Sequence, residues 1–188
     1  MNFMILLLTV SVLWLGSEIV LALAKRSART DRNLDQSSIR ILWTTIITSA
    51  TVGILLGLRG IAYIGGGSYA YPIVGLLLII CGSVLRWIAI AALDRYFTVD
   101  VSITKDHRIV REGIYHFVRH PAYAGSICSF IGLGVFFGSY LSVLVISLPI
   151  TAAFLHRIRI EEKALMDRFA GEYADYCAST KRLIPGVY

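Results

Sequence analysis

The chain has 188 residues, of which 56% are hydrophobic and 16% charged, at a mean hydropathy of +0.71. Soluble domains carry about a quarter charged residues, so this apolar surplus exceeds what one globular core absorbs and points to a membrane. The net charge of +6 comes without a basic helix face or an RNA-binding motif, which argues against nucleic acid; the basic residues flank apolar segments, where they meet anionic lipid headgroups.

The first apolar run covers residues 3–24 and reaches about 33 Å as a helix, enough for a hydrocarbon core of about 30 Å. Ala22-Leu23-Ala24 resembles a signal-peptide cleavage site, but no Lys or Arg precedes the run, so a retained span is expected. Glu18 inside it is expected to face another helix or the interface. The second run, 41–58, is bounded by Arg40 and Arg59. Gly65-Gly66-Gly67 follows with no strand before it and no G-x-G-x-x-G spacing, which reads as a flexible turn rather than a phosphate cradle. The third run, 72–93, starts at Pro72, a favoured first helical position, and contains Arg86, which must snorkel, pair or line a cavity.

Residues 94–121 form the longest polar break. Two further runs, 122–138 and 139–156, are split only by "GSY", a turn tight enough for an antiparallel helical hairpin. Gly132, Gly134 and Gly138 suit close backbone approach in that hairpin, and Pro149 is the expected kink in its second arm. Segment 157–188 is charged, with Leu165, Phe169, Tyr173 and Tyr176 at helical spacing; this stripe reads as a face docked on the bundle. Cys81, Cys128 and Cys177 are widely spaced and form no C-x-x-C pair, which argues against a disulfide framework or a metal site.

Sixteen of the 18 basic residues lie in 25–40, 94–121 and 157–188. Five spans place all three segments on one side, which the positive-inside rule names as cytoplasmic, with the amino terminus outside. The expected fold is therefore all-α: a multi-pass integral membrane protein of five transmembrane helices and one domain over 1–188. A polar loop and a C-terminal amphipathic helix then share the cytoplasmic face.

Chemistry concentrates at the cytoplasmic ends of the last two spans. Arg119, His120 and Pro121 precede the fourth, and a helix started by Pro121 points its first N–H groups at the polar segment, where they attract carboxylates or phosphates. Tyr115 and Tyr123 bracket that start with aromatic faces suited to a cation. The plainer alternative is a snorkelling Arg-His pair, a helix start and an interfacial tyrosine belt. At the end of the fifth span, "HRIRIEEKALMDRF" sets Arg157 and Glu161 one turn apart, with Glu162 rotated by about 100°. These can hold a carboxylate and an amine, or form a weak surface pair. The hairpin brings both clusters to one end of the bundle.

The strings "HRIVREGIYHFVRHPAYAG" and "RIRIEEKALMDRFAGEYADYCASTKRLIP" resemble the isoprenylcysteine carboxyl methyltransferase family, part of a wider group that includes the membrane phospholipid methyltransferases. The resemblance is detailed over about 95–188. It rests on G-x-Y-x-x-x-R-H-P-x-Y-x-G joined to the paired glutamates. It implies an S-adenosylmethionine-dependent enzyme, releasing S-adenosylhomocysteine, whose cofactor site is roofed by segments 94–121 and 157–188. By position, His107, Arg108, Ile109, Val110, Tyr115, His120, Pro121, Ala122 and Tyr123 fall where the family contacts the cofactor, as does Asp100 despite its residue type. Arg157 falls where the acceptor is oriented, and Glu161 and Glu162 complete the cofactor or acceptor site. Phe169, Tyr173, Tyr176, Arg182 and Pro185 match the family's tail, while Ala170 stands where the family usually has glycine.

The resemblance implies O-methylation of a lipid-like, isoprenylcysteine-type carboxylate. Such an acceptor is already ionised near neutral pH and needs a clamp rather than a base, and Arg157 offers a planar fork. Glu161 then holds Arg157 or the cofactor; an amine acceptor would make it a base instead. N-methylation of a phospholipid amine, S-methylation of a small thiol, and a non-catalytic ligand- or partner-binding membrane protein are the alternatives. Membrane lipids are expected as partners, and metal is not.

Overall fold

The computed structural model describes residues 3–24, 36–64, 69–94 and 108–187. Within them the chain forms five helices: α1 (Phe3–Ala24), α2 (Gln36–Leu58), α3 (Ala70–Leu93), α4 (Pro121–Phe136) and α5 (Tyr140–Ser179), with a 3₁₀ turn over Gly113–His116. Each of the five apolar runs supplies one helix. Two isolated β-bridges join Tyr63 to Ser139 and Val118 to Lys181. The glycine turn at 65–67, the basic stretch 25–35 and residues Asp100 and His107 lie outside the described residues, as does the side chain of Glu18.

Three stretches, Ser37–Leu58, Ala70–Leu93 and Tyr140–Ser179, are long and apolar enough to cross a membrane. α4 has only 16 residues, about 24 Å of helix, less than a hydrocarbon core of about 30 Å. Exposed side chains along the long helices, among them Ile47, Leu55, Leu77, Val84, Leu144 and Leu148, make an apolar exterior that water does not favour.

Several boundaries differ from the sequence reading. α2 starts at Gln36 rather than 41, so the polar "QSSIR" is helical. α5 spans 140 to 179 with one bend and joins the expected fifth span to the tail helix. It passes through Pro149 and departs from helical dihedrals at Ala170 instead (φ 38°, ψ −111°). Proline lacks an N–H, but the exposed position of Pro149 leaves the neighbouring chain free to adjust around it.

The bundle consists of two antiparallel helix pairs. α3 and α4 meet glycine to glycine: a Cβ on Gly82 would lie 2.5 Å from the Gly125 carbonyl oxygen, and one on Gly132 would lie 2.7 Å from that of Gly75. Contact this close lets Ser129 donate its hydroxyl to the Ile79 carbonyl at 3.1 Å. Lipid tails are as apolar as leucine, so such packing and inter-helix hydrogen bonds hold the pair where the hydrophobic effect cannot. α2 and α5 pair similarly, with the Ser142 hydroxyl donating to the Gly53 carbonyl at 2.8 Å and Ile146 filling the space above Gly53.

The α4–α5 turn joins the pairs. Gly134 abuts Val143 and Gly138 turns the chain at φ +57°, as the hairpin reading required, whereas Gly132 serves the α3 contact instead. Between the pairs Ile79, Phe130, Leu133, Ile146, Ile150 and Phe154 form one buried cluster with Leu7 and Trp14 of α1. Trp14 sets its ring edge-on to Phe130 at 4.8 Å.

Candidate functional site

The site forms at the end of the bundle where α2 and α4 begin, α3 ends and the apolar half of α5 gives way to its charged half. Gly113, at φ +60°, turns the chain into the 3₁₀ segment, and Tyr115 is driven inward by its apolar ring. Its hydroxyl donates to the Ala89 carbonyl at the end of α3 (3.2 Å), and its own carbonyl accepts from the Tyr176 hydroxyl (2.6 Å). Burial first, then the charge of Glu161, pushes the Tyr115 hydroxyl well above its ordinary range; for Tyr176, burial outweighs the charges of Arg119 and Arg111 and raises it to about 12. Both phenols stay neutral and serve as fasteners. The stripe read in the tail accordingly docks on the 108–120 segment, with Tyr173 and Tyr176 buried and Leu165 and Phe169 partly so.

Beyond Tyr115, the chain is held by the tail itself. Arg119 N–H donates to the Lys181 carbonyl (2.8 Å) and His120 N–H to that of Arg182 (2.9 Å). Pro121 then opens α4, and no side chain caps that start. Arg86 on α3 neither snorkels nor stands alone: its Nη1 donates to the Ala122 carbonyl at 3.4 Å.

Two carboxylates adjacent in sequence enter different networks here. Glu162, 9% exposed, accepts from Arg119 Nε at 3.0 Å and from Arg182 Nε at 2.8 Å, and faces His120 Nε2 at 3.3 Å. Burial alone would raise its pKa, but hydrogen bonds and charge from His120 and Arg119 outweigh it and hold the carboxyl down at about 2. Arg119 Nη1 reaches on to the Cys177 and Thr180 carbonyls. The RHP segment, α5 and the tail thus share one ionic knot.

Glu161 lies on the other face. Its Oε2 accepts from the Tyr123 hydroxyl at 2.9 Å, which in turn accepts from Arg157 Nε at 3.0 Å. Arg157 is 2% exposed, and its Nη1 donates to the Ser38 hydroxyl of α2 at 3.4 Å. The His120 ring stacks on Tyr123 at 5.7 Å and stands between the two carboxylates, with Nδ1 at 4.0 Å from Glu161. The Arg157–Tyr123–Glu161 line sets a buried guanidinium at one end and a partly exposed carboxylate at the other.

Of the residues singled out from sequence, His120, Pro121, Ala122, Tyr123, Arg157, Glu161 and Glu162 come together at this end, with Tyr115 beneath them. Arg108 is exposed, Ile109 and Val110 are partly buried, and Val110 packs with Tyr115, Ala89 and Ala122. Sequence reasoning missed Ser38 and the roles of Arg119 and Arg182 as partners of Glu162. The adjacency of Arg119 to His120 was a usable signal for the first; no local pattern marks Ser38. Among the described residues no three His, Cys, Asp or Glu side chains are grouped to hold a metal ion.

The isoprenylcysteine carboxyl methyltransferase family matches residues 74–167, from α3 through the RHP segment to just beyond the paired glutamates. The chain is 32% identical over 115 residues to protein-S-isoprenylcysteine O-methyltransferase B of Arabidopsis thaliana, covering 60% of this chain and 58% of that one. It is 35% identical over 106 residues to the protein-S-isoprenylcysteine O-methyltransferase of Saccharomyces cerevisiae, covering 55% and 44%. Its fold is similar to a solved eukaryotic intramembrane Ras methyltransferase, an isoprenylcysteine carboxyl methyltransferase, with a TM-score of 0.58, 26% identity, and coverage of 75% of this chain and 52% of the other. The chain therefore spans about three-fifths or less of the length of these relatives.

Proposed function

The chain belongs to the isoprenylcysteine carboxyl methyltransferase family, and from that premise we propose that it is an integral membrane methyltransferase that esterifies the carboxylate of an isoprenylcysteine-type lipid. The whole chain acts as one unit crossing the bilayer five times, with α4 completing its passage through flanking residues, the site on the cytoplasmic face and the amino terminus outside. The clustering of basic residues supports that orientation.

The observation that carries the reading is the Arg157–Tyr123–Glu161 line. A carboxylate acceptor needs no proton removed; it needs orientation and charge compensation. Arg157 is always charged and presents a planar fork, and its Nε bond to Tyr123 fixes that fork before the acceptor arrives. Well-oriented reactants recover about 7–11 kcal/mol of barrier, so holding the carboxylate oxygen in line is the main task of these residues. Glu161, engaged by Tyr123, is placed to accept hydrogen bonds rather than to take a proton.

The residues fit S-adenosylmethionine, which when bound supplies an electrophilic methyl group on a sulfonium. The start of α4, free of any side-chain cap, suits its carboxylate. Glu161, with its side chain 32% exposed, suits its ammonium, and Arg108, Ile109, Val110, Tyr115, His120, Pro121, Ala122 and Tyr123 line the same end. Tyr115, buried among Ala89, Ile90 and Ala122, closes the apolar side of this end against water. Glu162 acts differently from the pairing expected in sequence: caged by Arg119, His120 and Arg182, it holds the walls together instead of meeting substrate.

The test is incubation of membranes containing the protein with methyl-labelled S-adenosylmethionine and N-acetyl-S-farnesylcysteine. Label recovered in a base-labile methyl ester supports the proposal. Label in base-stable lipid amines or thioethers would replace it with N- or S-methylation, and no transfer to any lipid would favour a binding protein.

A further inference from the structure

Ser38 stands outside the family-matched stretch of 74–167 and at the far end of the chain from the paired glutamates, yet it touches Arg157. Its position is not an accident of a loop. Ser38 and Gly53 are fifteen residues apart on α2, as Ser142 and Arg157 are on α5, about 22 Å of helix in each case. Because the helices run antiparallel, one register sets both contacts: the Ser142 hydroxyl on the Gly53 carbonyl at 2.8 Å, and Arg157 Nη1 on the Ser38 hydroxyl at 3.4 Å. A Cβ on Gly53 would collide with the Ile146 side chain, so sliding α2 along α5 is sterically opposed. Ser38 is 2% exposed and Arg157 likewise, so neither side chain has bulk water as a competing partner.

Among the described residues the guanidinium is gripped at two points on its planar fork. Tyr123 of α4 holds Nε and Ser38 of α2 holds Nη1, which fixes rotation about the side chain's last bonds. Bidentate recognition of a carboxylate depends on the plane of that fork.

We propose that Ser38 is a positioning residue for acceptor binding: it sets the plane of Arg157, so that α2 forms part of the acceptor clamp. The inference rests on the reading of Arg157 as the clamp for a carboxylate acceptor.

The experiment compares Ser38→Ala and Ser38→Thr with wild type, using N-acetyl-S-farnesylcysteine as acceptor probe and direct binding of S-adenosylmethionine as a second readout. Loss of a hydrogen bond to a charged group predicts that Ser38→Ala raises KM for the acceptor by about tenfold, with cofactor affinity unchanged. Ser38→Thr, which retains a hydroxyl, restores KM toward wild type. An active wild type with an unaltered KM in Ser38→Ala overturns this inference alone. Equal damage in both variants together with a lowered midpoint or weakened cofactor binding also overturns it, in favour of a packing role. A wild type that does not methylate the probe overturns the clamp reading and this inference with it.

Discussion

Glu161 and Glu162 are consecutive on α5, and their carboxylates face opposite duties. Glu162 is enclosed by Arg119 and Arg182 at 3.0 and 2.8 Å, while Glu161 takes the Tyr123 hydroxyl at 2.9 Å and keeps part of its surface open. Helical rotation of about 100° between neighbours is sufficient to separate an enclosed carboxylate from a partly exposed one. The difference predicts distinct consequences when each is neutralised.

Replacing Glu162 with Gln removes the carboxylate that Arg119 and Arg182 share in a partly buried setting. Removing one member of such a network costs about 3–5 kcal/mol, so the thermal midpoint of Glu162→Gln in detergent should fall clearly. Glu161→Gln should leave the midpoint near wild type and weaken S-adenosylmethionine binding. Equal midpoints for the two variants would contradict this division of labour.

Acid sensitivity follows from the same carboxyl. Its folded value of about 2 lies below the ordinary 4.5, so its contribution to stability is fully present above pH 4.5. It is lost as pH falls through 2, because the unfolded chain binds the proton first. Wild-type midpoints should decline over about pH 5 to pH 2, and Glu162→Gln should lack that component of the decline. A variant whose acid limb parallels wild type would show that other groups govern it.

Tyr123→Phe tests whether the hydroxyl works as a coupling. Losing it removes the acceptor of Arg157 Nε and the donor to Glu161 together. Acceptor KM and cofactor Kd should both rise, each by about tenfold, because one oxygen serves both ends of the line. In Arg157→Lys the cofactor term should be spared and turnover reduced by roughly a hundredfold through misplacement of the acceptor, since an ammonium lacks the planar fork. A Tyr123→Phe protein altered in only one of the two constants would uncouple Arg157 from Glu161.

Much of this arrangement was visible in sequence, and the missing parts share a cause. The hairpin over Gly138, the helix start at Pro121 and the shared face of Arg157 and Glu161 depend on residues within a few positions of each other. The cage around Glu162 does not: its arginines come from 43 and 20 residues away, and Ser38 lies 119 residues from Arg157. Helix pairing creates those contacts, and no single-segment periodicity encodes it. The length of α5 was hidden for another reason. Hydropathy changes sharply at residue 157, but backbone hydrogen bonding is indifferent to that change, so a helix that runs on to the bend at Ala170 reads as a span followed by a tail.

The break at Ala170 was the least legible feature, because alanine is the strongest helix former, and the observed φ of 38° with ψ of −111° suits glycine, which lacks a Cβ. The neighbouring Gly171 has helical freedom it does not use: φ there is not positive, and an added Cβ would meet nothing within 4 Å. Chain and backbone are therefore offset by one residue. Beyond the bend the chain is tied down by Tyr176 on the Tyr115 carbonyl and by Arg119 on the Cys177 carbonyl, and strain of this kind costs about 1–3 kcal/mol. Ala170→Gly should raise the thermal midpoint, and Ala170→Gly combined with Gly171→Ala should raise it further by about 1 kcal/mol through helix propensity. Each kcal/mol corresponds to about 2–4 °C for a chain of this size. A lower midpoint in Ala170→Gly alone would mean that residue 170 has helical dihedrals, where glycine costs about 1 kcal/mol relative to alanine.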